Sequence, residues 1–225
     1  MAKTYEWVLQ EIKKLNRDHA HHLLQCLVVT IRPLHIEELV EILAVDFDDD
    51  EGVPKLKVSW QWEDQEQALL SLCSSLITIV NGNDDSQVVQ FLHFSVKEFL
   101  TSPHLAAPSR DVSRYYIVLE PAHTVMAQAC LSVLLWLDDH IEENGDRNRS
   151  PLVSYAVAHW VAHAQVQNVS SCIQNVMECL FDLEEPCFTG PLLLPHCTQY
   201  HVHSEPLVPA PPPSLGNRSK GCWSY

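Results

Sequence analysis

A chain of 225 residues with 46% hydrophobic content has room for one large or two small domains with a real core. Its formal net charge of −15 sets it against phosphate backbones and anionic membrane faces, so neither nucleic acid nor membrane is an expected partner. The opening MAKTYEWVLQEIKK has no apolar signal core and no run reaches the roughly 18 apolar residues of a membrane span, which predicts a cytoplasmic protein.

Thr4 is placed to cap a helix whose apolar face is Tyr5, Val8, Leu9, Ile12 and Leu15. Asp18 is placed to cap a second, with Ala20, Leu23, Leu24, Leu27 and Val28 inward, the two joined through Asn16 and Arg17 as a helical hairpin. After Pro33, Ile36, Leu39, Val40 and Leu43 define a third amphipathic helix. The acidic run Asp46 to Glu51 suggests calcium, but an EF-hand loop needs glycine at its sixth position and glutamate at its twelfth, where this chain has Glu51 and Lys57. A solvated loop is the expectation there. A helix capped by Asp64 follows, with Ala68, Leu69, Leu72 and Cys73 inward.

Leu76 to Val80 is a β-branched strand, Asn81 to Asp84 supplies turn residues, and Gln87 to Leu92 alternates as its partner. This ribbon after three or four helices is the order of a winged helix, the ribbon being the wing. At Ser95 the spacing turns helical, and Ser95 with Glu98 has the form of an S-x-x-E capping box for a helix running to about Thr101, ended by Pro103. His93 is thereby held where a strand gives way to a helix.

Beyond a loop over 103–113, Tyr115 to Leu119 reads as a short extended piece, and Pro121 opens a long helix along Val125, Ala129, Val133 and Trp136. A polar loop leads to a helix opened by Ser150 and Pro151, carrying Leu152, Tyr155, Ala156, His159, Trp160 and His163. A last helix from about Ser171 to Phe181 turns Ile173, Val176, Met177 and Leu180 to one face. Of the 14 prolines, eight lie from Pro186 onward in a segment with no periodic face, which reads as a disordered tail. Within it Pro206 to Pro209 satisfies a bare P-x-x-P spacing. Eight cysteines include no C-x-x-C pair; Cys26, Cys73, Cys130 and Cys172 fall among apolar residues and are expected to be reduced and buried.

The wording FLHFSVKEFL resembles the F-x-H-x-S-x-x-E-F/Y-L signature of the winged helix that follows the NACHT nucleotide-binding core in fungal NACHT and ankyrin proteins of the STAND class, also described as the inositol-deacylase-like winged helix. TYE-x-VL-x-EIKK, LLQCL and RPL-x-x-EEL upstream, and AHT-x-x-AQACLSVLL-x-LDD, PL-x-x-YA-x-x-HWV-x-HAQ and IQ-x-x-MECLFD downstream, are similar to its wording, so the resemblance covers about Thr4 to Asp182. The expected architecture is mainly α: a winged helix with a two-stranded wing over 1–102, a helical domain over 103–182, and a disordered Pro-rich tail over 183–225.

The resemblance implies a role for His93, which matches a histidine that reaches toward the β-phosphate of ADP bound by the NACHT core, with Ser95 and Glu98 as its supporting cap. It implies docking on a nucleotide-binding domain as the function, with no catalysis and no cofactor. The chain has six glycines, no G-K-[ST] P-loop and no repeat of about 33 residues, so the nucleotide core and the ankyrin units of such proteins are missing and a truncated form is the expectation.

Two other readings stand beside it. A DNA-binding winged helix requires a basic recognition helix, whereas LHIEELVEIL carries Glu37, Glu38 and Glu41 and no Lys or Arg. A zinc site could use His159 and His163, spaced H-x-x-x-H on one helix face, although Trp160 stands where a metalloprotease has its glutamate. Cys187, His196, Cys197, His201 and His203 match no finger spacing, and no G-x-S-x-G elbow exposes a nucleophile.

Overall fold

The first helix, α1 (Ala2–Glu11), begins ahead of Thr4, which is therefore an ordinary helical residue and not a cap. It ends because Lys13 turns extended, φ −53° and ψ 137°, into a 3-10 turn over Lys14–Asn16. That break removes Leu15 from the helical periodicity and leaves it 92% exposed, against the expectation that it joins the inward stripe; Leu9 and Ile12 are buried as expected. The second helix, α2 (Arg17–Val29), takes Asn16 as its N-cap, so Asp18 lies in the first turn, where its charge suits the helix dipole. The computed structural model describes residues 2–47, 53–57, 65–73, 75–82, 86–107, 112–139 and 150–181; the proposed Asp64 cap and the tail lie outside them.

A short strand β1 (Leu34–His35) leads into α3 (Ile36–Leu43). The cap of α3 is His35, whose side chain accepts from the backbone of Glu38, while the Glu38 carboxylate accepts from the His35 amide at 2.8 Å. Arg32 donates through its fork to the same carboxylate at 2.8 and 2.5 Å. Strands β2 (Val45–Asp46) and β3 (Lys55–Leu56) pair antiparallel at the base of the acidic run, with Lys57 bound to Asp46.

Next come α4 (Gln65–Cys73), β4 (Ile77–Asn81), β5 (Gln87–Phe91) and α5 (Phe94–Leu100). The β4–β5 ribbon forms in antiparallel register from Ile77 opposite Phe91 to Asn81 opposite Gln87. The wing has a third member, because Leu34 and His35 pair with Val89 and Val88 to give the order β1-β5-β4. Two residues of strand straight after Pro33 carry too little pattern to be read from sequence. With α2, α3 and α4 against this sheet the winged helix is complete, and its fully buried Leu23, Leu24, Leu34, Leu39, Ile42 and Leu69 each contribute about 1.5–3 kcal/mol of burial.

The helical half follows as α6 (Leu119–Asp139), α7 (Val153–Ala164), α8 (Val169–Cys172) and α9 (Gln174–Leu180). Tyr115 closes a 3-10 turn over Ser113–Tyr115 and Leu119 already belongs to α6, so the extended piece between them is shorter than predicted. The last helix is two: Ile173, at φ −110° and ψ 11°, interrupts α8 and α9 while staying fully buried with Val176 and Leu180. Asn168 initiates this stretch from the left-handed region at φ 66°, which asparagine tolerates better than most residues. Helix α6 packs on both α2 and α7, so the two halves share one core within the unit containing the described residues. Cys26, Cys73 and Cys130 are free thiols in that core, and burial pushes Cys26 and Cys73 up to about 12. Cys172, by contrast, is exposed, because the break at Ile173 turns it outward.

Candidate functional site

The end of β5 and the start of α5 meet at His93. The ladder stops with the Leu92 amide donating to the Leu76 carbonyl at 2.9 Å, and His93 remains extended at φ −149° and ψ 142°. Its Nδ1 accepts from the Ser95 amide at 3.1 Å, making His93 itself the N-cap of α5. This corrects the expected capping box: the helix starts at Phe94, so Ser95 is already inside it, and the exposed Glu98 makes no capping bond among the described residues. An imidazole nitrogen has taken the position that a hydroxyl was expected to fill.

The Ser95 hydroxyl lies 2.7 Å from His93 Nδ1 and 2.8 Å from the Tyr5 hydroxyl on α1. Since Nδ1 accepts from the amide it carries no proton, so the neutral ring bears its hydrogen on Nε2. The Ser95 hydroxyl thus bridges the Tyr5 hydroxyl and His93 Nδ1, whose lone pair it shares with the Ser95 amide. His93 is exposed, and its ring leans on Phe94 at 4.3 Å between centroids. The neighbours form an apolar rim, Leu92 at 60% and Phe94 at 70% exposure.

The two histidines of the zinc reading are not equivalent. His163 is fully buried, with Nε2 at 2.9 Å from the Tyr155 hydroxyl and Nδ1 at 2.8 Å from Nδ1 of His123 on α6. Both ring nitrogens therefore face protein partners, while His159 packs edge-on against Tyr155 at 4.7 Å. Among the described residues no group of three or more His, Cys, Asp or Glu is placed to hold a metal ion. Burial pulls His163 down to about 4, helped by His123 and His159. His123 is lowered by burial and then by Lys97, and His159 by burial and then by Arg32.

Neither of the two helices described between β1 and β4 offers a basic face. Helix α3 packs on α4 and directs two of its carboxylates inward: Glu38 to Arg32, and Glu41 to Ser150 and Leu152. The second helix, Gln65–Cys73, contains no Lys or Arg. The bonds of His123 to His163 and of Glu41 to Ser150 escape a sequence reading because they span 40 and 109 residues, and that of Arg32 to Glu38 because it crosses the turn at Pro33 where no helical spacing relates the two. Only the clustering of histidines and Tyr155 in the YAVAHWVAHA segment hinted at a polar core there.

No described helix is long and apolar enough to cross a membrane. Residues 5–109 match the winged helix domain of GPI inositol-deacylase. A protein of Monascus ruber named azaphilone pigments biosynthesis cluster protein L is 28% identical over 194 residues, covering 84% of this chain and 40% of that protein. The chain thus spans well under half the length of this curated relative. No solved structure matches the chain.

Proposed function

We propose that this chain is a non-catalytic regulatory module of the NACHT-type STAND class, working in the cytoplasm by docking on a nucleotide-binding core with His93 toward the phosphates of ADP. The observation that carries the reading is the ordered ring of His93: Nδ1 is held by the Ser95 amide and hydroxyl, so Nε2–H is the donor presented at an exposed junction. A neutral imidazole donor suits a diphosphate oxygen, and the contact is lost when the arm moves away. Leu92 and Phe94 supply apolar area around that donor, as a protein interface requires. The winged-helix match over 5–109 supports the kind of module, and the resemblance of FLHFSVKEFL to the NACHT-associated signature is what suggests the partner.

The experiment is to mix the chain with a NACHT-type nucleotide-binding domain from the same organism and measure binding with and without ADP, for the natural chain and for His93→Ala. ADP-dependent binding that weakens at least tenfold in His93→Ala is the expected result. Binding in neither state removes the reading, and ADP dependence unchanged by the substitution removes His93 from it.

A further inference from the structure

A partly buried chain of hydrogen bonds runs from the half-buried His123 to the loop joining α2 to β1. The Ile31 amide donates to the Tyr155 hydroxyl at 3.2 Å, Tyr155 lies 2.9 Å from His163 Nε2, and His163 Nδ1 lies 2.8 Å from His123 Nδ1. The distances at Thr30, short to the Arg32 carbonyl and long to the Tyr155 oxygen, favour one direction for the links. The Thr30 hydroxyl spends its hydrogen on the Arg32 carbonyl at 2.5 Å and sits 3.4 Å from the Tyr155 oxygen, so the phenol hydrogen has its close acceptor in His163 Nε2. His163 must then carry its hydrogen on Nδ1 and donate it to His123 Nδ1, which leaves the His123 hydrogen on Nε2.

We propose that His123, His163 and Tyr155 form a polarised relay that transmits protonation of His123 to loop 30–33. The geometry sets what one added proton does. A charged His123 has hydrogens on both nitrogens, so His163 has to present Nδ1 as an acceptor and move its own hydrogen to Nε2. Tyr155 then accepts from His163 and from the Ile31 amide and turns its hydrogen to Thr30 Oγ1. One proton is gained, none is lost, and the whole chain reverses. Because Thr30 Oγ1 stands at 3.4 Å, beyond a good O–H···O distance, the reversed state draws residues 30–32 toward α7. Loop 30–33 walls a cleft of about 230 Å³ with Leu27, Phe91 and Lys97, so the movement changes the shape of that cleft.

The charges around the relay set its threshold. Lys97 of α5 faces His123, His159 of α7 faces His163, and Arg32 lies 5.0 Å over the Tyr155 ring, all three opposing a further positive charge. Glu38 of α3, paired with Arg32, acts the other way on His159, and burial keeps the Cys26 and Cys130 thiols near Tyr155 neutral. The relay therefore answers to acid below the ordinary histidine range.

The test uses the full chain, labelled with 15N. Long-range proton–nitrogen spectra at pH 7.5 are expected to show His163 as the Nδ1–H tautomer and His123 as Nε2–H. On lowering the pH, the Ile31 amide is expected to shift with the midpoint of the His123 ring, and in Tyr155→Phe to stop following it. His163 found as Nε2–H at pH 7.5 overturns the relay. So does an Ile31 amide that stays fixed while His123 titrates, or a His123 that stays neutral until the chain unfolds. This inference is independent of the partner proposed for His93.

Discussion

Glu41 Oε2 on α3 accepts from the Ser150 hydroxyl at 2.6 Å, and the same oxygen accepts from the Leu152 amide at 2.8 Å. A carboxylate only 3% exposed on the winged helix thus satisfies the backbone at the start of α7. Burial raises the Glu41 carboxyl, and the two donors pull it back toward ionisation. Glu41→Ala is expected to cost about 2 kcal/mol, since it strands a buried amide and hydroxyl, and Ser150→Ala about 1 kcal/mol. Urea unfolding of both variants and of the double variant checks this. The double should lose less than the sum of the singles, whereas strict additivity would mean that the two residues do not share a bond.

Arg32 and Glu38 make a second tie, at the turn between α2 and α3. Glu38 is 4% exposed and receives both Arg32 nitrogens and the His35 amide, so removing Arg32 leaves a buried carboxylate with the amide alone. Arg32→Met is expected to destabilise by about 2 kcal/mol, below the 3–5 kcal/mol of a fully buried pair because the guanidinium keeps some contact with water. Arg32→Lys should recover only part of this, since one ammonium cannot reproduce a two-pronged contact. Equal stability of the Lys variant and the natural chain in urea would show that charge alone matters there.

The half-buried His21 and the buried His163 give the fold a pH dependence of defined sign. His21 and His163 are each held down to about 4, chiefly by burial, from an ordinary 6.5. Between those values the unfolded chain binds more protons, so stability falls as pH drops from about 6.5 toward 4, by roughly 1.4 kcal/mol per pH unit for each fully titrating group. Glu41 acts oppositely, because its raised carboxyl takes up a proton earlier in the folded chain and offsets part of the loss. Thermal unfolding at pH 7.5, 6.5 and 5.0 should show little change over the first step and a clear drop over the second. A midpoint independent of pH across this range contradicts the burial of both rings.

What could be read ahead of the structure follows from the range of the forces involved. The amphipathic periods of α2, α3, α6 and α7 and the β-branched wing are local patterns, and they appear where the spacing put them. Leu15 was misplaced because one extended residue, Lys13, shifts the phase of everything after it. The join between Ser150 and Glu41 spans 109 residues, and no spacing rule reaches that far. At the junction, His93 was legible as a held histidine, but its cap was assigned to Ser95 because hydroxyls cap helices far more often than imidazoles do.

Thiol reactivity reports on the break between α8 and α9. Cys172 and Cys179 are exposed, whereas Cys26, Cys73 and Cys130 are buried and their thiolates disfavoured. A short pulse of iodoacetamide on the native chain, followed by peptide mapping, should label Cys172 and Cys179 and spare the other three. Protection of Cys172 would mean that one continuous helix turns it inward.

The observed cap that His93 makes on α5 and the outward donor role proposed for it separate by choice of substitution. Asparagine is among the best N-cap residues and can replace the bond that Nδ1 makes with the Ser95 amide. It does not reproduce the outward imidazole Nε2–H. His93→Asn is therefore expected to keep stability within about 0.5 kcal/mol and to lose ADP-dependent binding, while His93→Ala loses about 1 kcal/mol and the binding together. Urea midpoints and binding to the ADP-loaded form of the proposed partner domain are measured on the same preparations. If His93→Asn binds as the natural chain does, the imidazole is only a cap, and the rim of Leu92 and Phe94 holds any partner without it.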